Sequence, residues 1–111
     1  MLLLSICFAA CGWNPEVTAV PITEPWTAMN LPVKEGAVVW KSESKEFRAV
    51  HKADKKAVTR AYTDALKAQG WELGKFDDGG ERYYMTLTKG GEKMDLEVYD
   101  FSNTGVVLKK S

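Results

Sequence analysis

The chain has 111 residues, which is room for one small domain. Fifteen Lys and Arg offset fifteen Asp and Glu, so the sequence lacks the basic field that a nucleic-acid partner needs. Apolar residues make up 45% of the chain, too many for disorder, and no run of 18 of them exists to form an ordinary transmembrane helix.

Nine of the first ten residues, MLLLSICFAA, are apolar and none is charged, while all thirty charged residues come later. This is the contrast between a targeting segment and a mature chain. The apolar stretch 2–10 is too short to cross a bilayer and matches a signal-peptide core of about 7–15 residues. Two small residues and a cysteine follow, in the order Phe8-Ala9-Ala10-Cys11-Gly12. The pattern resembles the lipobox of bacterial lipoproteins. That resemblance implies that residues 1–10 are a signal peptide, cleaved before Cys11, and that the Cys11 thiol takes a diacylglycerol. It further implies a lipid-anchored cell-envelope protein whose partner, through Cys11, is the membrane. Gly12 after the cysteine points to the periplasmic side of the outer membrane, or to the cell membrane where there is only one. Phe8 stands where Leu is usual, and no Lys or Arg precedes the apolar core. The alternative for Cys7 and Cys11 is a buried helix, or a C-x3-C pair forming a disulfide or metal site. With one histidine and no second cysteine pair, neither a metal site nor a cofactor is expected.

Residues 11–31 read as a tether. Pro15, Pro21 and Pro25, with Pro32 just after, are all the prolines of the chain, and they disfavour regular helices and ladders. At ~3.1 Å per residue such a segment reaches about 60 Å. Trp13 suits a membrane interface. Trp26, Met29 and Leu31 are unusual in a free tether and read as packing back on the domain edge, the alternative being a partner-binding motif.

Residues 32–111 read as a single domain. A turn at Pro32-Val33-Lys34-Glu35-Gly36 leads to a short strand over 37–40, and weak alternation marks a second over 44–51. A helix then starts at Asp54, a good N-cap, and ends at Gly70. Ala57, Val58, Ala61, Tyr62, Ala65 and Leu66 form its predicted apolar stripe, with Lys55, Lys56, Arg60, Thr63, Asp64 and Lys67 on the other side.

Strands follow over 71–76, 81–89 and 93–99, with a last one carrying Val106 and Leu108. Asp77-Asp78-Gly79-Gly80 and Lys89-Gly90-Gly91-Glu92 supply hairpin turns. Tyr83, Met85 and Leu87 alternate toward the helix, as do Met94, Leu96 and Val98. The expected fold is α+β: an antiparallel sheet of five to six strands with one helix on one face, in the order β-β-α-β-β-β-β. This order resembles the helix-grip arrangement.

The other sheet face is the one surface with candidate chemistry. Tyr84, Tyr99, Thr86, Asp95 and Glu97 are the candidate binding residues, and the wider face includes Glu72, Phe76, Val107 and Lys109. Asp95 and Glu97 point the same way from one strand, as a glycosidase pair must, but a solvated polar sheet face explains them more simply. No nucleophile–base pair, phosphate loop or ligand cluster accompanies His51, so no catalytic residue is expected. The reading is a non-catalytic binding or assembly module of the cell envelope, with another envelope protein as its candidate partner. The alternative is a small-ligand carrier or enzyme with a cavity between helix and sheet, lined by Tyr62, Trp71 and Met85.

Overall fold

The computed structural model describes residues 15–34, 36–101 and 103–111. The fold is α+β. Six strands form one antiparallel sheet: β1 (Ala37–Ser42), β2 (Glu46–His51), β3 (Glu72–Asp78), β4 (Arg82–Lys89), β5 (Glu92–Asp100) and β6 (Thr104–Lys110). Their order across the sheet is β1-β2-β6-β5-β4-β3, and the one α-helix among the described residues, α1 (Lys55–Ala68), connects β2 to β3. Every neighbouring pair is antiparallel.

Cap chemistry sets both ends of α1. The Asp54 side chain accepts a hydrogen bond from the Ala57 backbone N–H at 2.9 Å. At the other end Gly70, at φ +96°, donates to the Lys67 carbonyl, and Trp71 donates to that of Leu66. These two bonds make a Schellman motif, and the turn swings Trp71 back into the core.

The buried face of α1 is Val58, Tyr62, Thr63 and Leu66. The predicted stripe is therefore rotated. Ala57 and Ala61 are exposed, and Thr63 is buried, its hydroxyl donating to the Arg60 carbonyl at 3.1 Å. That internal bond lets a small polar side chain turn inward without an unmet donor. Tyr62, Leu66 and Trp71, rather than a run of alanines, fill the space over the sheet.

The core lies between the helix and one sheet face. Phe47, Ala49, Leu87, Met94, Leu96, Val98, Val106 and Leu108 supply the sheet side. Period-two alternation in β4 and β5 produces this, as the sequence predicts.

Two bulges interrupt the alternation. In β1 the register shifts between Val39 and Lys41, and in β3 between Leu73 and Phe76. The β3 bulge puts Gly74 and Lys75 opposite the single residue Thr86. A Cβ on Gly74 would stand 2.5 Å from the Thr86 carbonyl oxygen, so the approach needs glycine. The extra residue turns Phe76 to the helix side, where it pairs with Met85 and meets the Tyr83 ring at 5.3 Å. Unbroken alternation puts Phe76 on the outer face; the bulge moves it.

The stretch read as tether contributes to the core from Val20 onward. Trp26 and Met29 sit in a turn of 3-10 helix (Trp26–Met29), and both are buried. The Trp26 ring lies 5.6 Å from that of Phe47, and its indole N–H donates to the Glu43 carbonyl. Val20, Ile22, Leu31 and Val33 pack around this cluster. The segment also follows the outer edge of β1. Val20 N–H donates to the Val39 carbonyl at 2.9 Å, and the Thr23 hydroxyl donates to that of Ser42 at 3.0 Å. Of the two readings weighed for Trp26, Met29 and Leu31, packing against the domain is what the structure contains.

Candidate functional site

Sheet pairing gathers the candidate face. Tyr84 is opposite Glu97, and Thr86 opposite Asp95, across the β4–β5 ladder; Asp95 and Glu97 in turn face Lys109 and Val107 on β6. These six residues, with Met85 and Leu96, line an open depression of about 360 Å³. Such a surface suits contact with a second surface better than enclosure of a small molecule.

The two acids are both engaged. The Thr86 hydroxyl donates to Asp95 Oδ1 at 3.2 Å, and Glu97 forms an ion pair with Arg82. Tyr84 is the exposed aromatic at the rim, 44% accessible.

Tyr99 lies elsewhere on the same face. Its ring covers Gly105 on β6, where an added Cβ would meet the ring at 2.6 Å. Arg82 stacks on it at 5.0 Å and Phe101 lies 6.0 Å away. Phe101 also reaches the Trp40 ring at 6.5 Å, and Arg48 stacks on Trp40 at 5.5 Å. The outer face thus carries an aromatic band of Trp40, Phe101 and Tyr99 beside the Tyr84 depression. Trp40, Arg48 and Phe101 were not legible as members of it. The β1 bulge sets both Trp40 and Lys41 opposite Arg48, and Phe101, just after β5, lies against the Trp40 and Tyr99 rings.

Glu46 on the same face accepts from Arg48, with Lys41 3.4 Å away, and these contacts hold its carboxyl below the usual range, the Arg48 hydrogen bond chiefly.

On the helix side, Tyr62 and Trp71, the cavity lining of the alternative reading, are buried core residues, and Met85 is partly buried against the core. A cleft of about 180 Å³ opens beside the first turns of α1, between Pro32, Lys34, Lys52, Ala57 and Ala61, with His51 and Tyr62 at its base. His51 Nε2 and the Tyr62 hydroxyl are 2.7 Å apart and satisfy one another. Burial pushes the imidazole down to about 4 and the phenol upward.

Among the described residues, no three His, Cys, Asp or Glu side chains gather as a metal site, and no helix is long and apolar enough to cross a membrane. The signal segment 1–10 and Cys11 lie outside the described residues. Comparison with known proteins finds no family model, no curated protein and no solved structure that matches the chain.

Proposed function

We propose that this chain is a cell-envelope lipoprotein, anchored through Cys11, whose domain is a non-catalytic binding or assembly module. The observation that carries the binding half is the outer sheet face. It is open, it mixes exposed Tyr84 with paired polar groups, and no element of the fold covers it among the described residues. The helix side, by contrast, is filled by side chains. The anchor rests on Ala9-Ala10-Cys11-Gly12 following an uncharged apolar run.

Packing of the Pro-containing segment shortens the tether. Val20 is already tied to Val39, so the nine residues from Gly12 to Val20 reach at most about 30 Å. The reading is therefore of a domain held near the head groups, not one carried about 60 Å away.

Two measurements test the two halves. Intact mass of membrane-extracted protein should show loss of residues 1–10 and gain of lipid on Cys11; unmodified full-length chain in the cytosol rejects the anchor. A photo-crosslinking side chain at Tyr84 should capture a discrete partner in cells, while the same group at Lys67 on the exposed helix side should not. Equal labelling at both sites, or none, rejects the binding face. A turnover activity abolished by Asp95→Asn with Glu97→Gln would place the protein among enzymes.

A further inference from the structure

The two edges of the sheet are unlike. The edge at β1 is covered: the Val39 and Ser42 carbonyls accept hydrogen bonds from Val20 and Thr23. Among the described residues no element pairs with the edge at β3, and all seven of its residues are exposed. An uncovered edge is a template for another strand, and the bulge at Gly74–Lys75 with the charge of Lys75 blunts this one only in part. Here it carries two large exposed apolar side chains on one face, Leu73 at 39% and Phe76 at 45%. Both point to the helix side, since they pair with Leu87 and Met85.

The charges on β3 decide what fits. A second β3 pairing antiparallel about a two-fold axis normal to the sheet keeps like faces together, so Phe76 is covered only when it meets Leu73 or Phe76 of the second copy. Setting Leu73 against Phe76 places Glu72 opposite Asp77 twice, a repulsive arrangement. Setting Phe76 against Phe76 places Lys75 opposite Asp77 twice, on the outer face, and Asp78 opposite Gly74, where no side chain obstructs it. The second register stacks two aromatic rings at the axis between two ion pairs.

We propose that β3 is a self-association edge, through which two copies of this chain join in the register that sets Phe76 on Phe76 and Lys75 against Asp77. The result is a continuous twelve-stranded sheet. The contact is short, so the association is weak, with half-saturation on the order of 100 μM. It does not depend on the lipid anchor.

Sedimentation of the full chain in neutral detergent with reductant tests this, with circular dichroism to show that each variant is folded. Lys75→Asp alone sets four acids together at the axis and should weaken association about tenfold, as should Asp77→Lys, which sets four cations there. The double variant K75D/D77K restores both pairs in reversed sense and should recover association to within about threefold. Phe76→Lys should abolish it. A chain that stays monomeric at about 1 mM, a double variant no better than the singles, or a dimer indifferent to Phe76→Lys overturns the proposal.

Discussion

His51 and Tyr62 meet inside the domain, Nε2 to hydroxyl at 2.7 Å, with their rings edge to face at 5.3 Å. One comes from the last residue of β2 and the other from the second turn of α1, so the pair ties the helix to the strand before it. Because burial keeps the imidazole neutral and the phenol protonated, a single shared proton satisfies both groups.

This pair makes stability pH-dependent. The unfolded imidazole titrates near its ordinary value of about 6.5, while the folded one is held down at about 4. Between those values the unfolded chain binds the extra proton, so stability is complete above about pH 6.5 and falls as the pH drops toward 4. The loss is on the order of 3 kcal/mol. Urea midpoints measured from pH 7.5 to 4 should show it, and His51→Gln should flatten the slope between pH 6.5 and 5. An unchanged slope in that variant would assign the effect to another group.

Leu66 is fully buried and its chain neighbour Lys67 is exposed. Leu66→Ala should cost about 2–5 kcal/mol, whereas Lys67→Ala should stay within about 0.5 kcal/mol. Denaturant titration of both variants checks the helix orientation; equal costs would place the buried face elsewhere.

Trp26 behaves as core despite its Pro-rich surroundings. Trp26→Ala should cost about 3–5 kcal/mol, as for an interior aromatic. Chemical unfolding of this variant against Thr27→Ala, an exposed neighbour, should separate the two by several kcal/mol. A Trp26 variant as stable as the parent would mean that the segment does not pack.

Gly74 is constrained by the carbonyl beside it. Gly74→Ala must move the β4 backbone at Thr86 and should cost about 1–3 kcal/mol. Gly91, with nothing within 4 Å of an added Cβ and an ordinary φ, should accept alanine nearly free of cost. Thermal melts of the pair test whether the bulge is an enforced feature of β3.

On the outer face, Asp95→Asn with Glu97→Gln should change stability by no more than about 1 kcal/mol, because both acids are on a solvated surface. Substituting Tyr99 should be the more disruptive change to the fold, since its ring covers Gly105. Tyr84→Ala should leave the melting temperature nearly unchanged while weakening partner capture. This contrast separates the two tyrosines that the alternation pattern alone treats alike.

Local chemistry in the sequence determined much of this protein. Asp54, the spacing of Val58, Tyr62 and Leu66, and Gly70 specify α1 within a few residues of themselves. Alternation in 82–89 and 92–100 around Gly90 and Gly91 specifies the β4–β5 hairpin and, with it, the grouping of Tyr84, Thr86, Asp95 and Glu97. Tertiary structure decided the rest, because the deciding contact is remote in the chain. Trp26 becomes core only when β1 and β2 offer it Phe47 and the Glu43 carbonyl. Phe76 changes face only because β4 accepts two residues of β3 opposite one of its own. A period counts residues along one strand or helix, and a bulge, a buried tether or a covered edge exists only once a second element lies beside it.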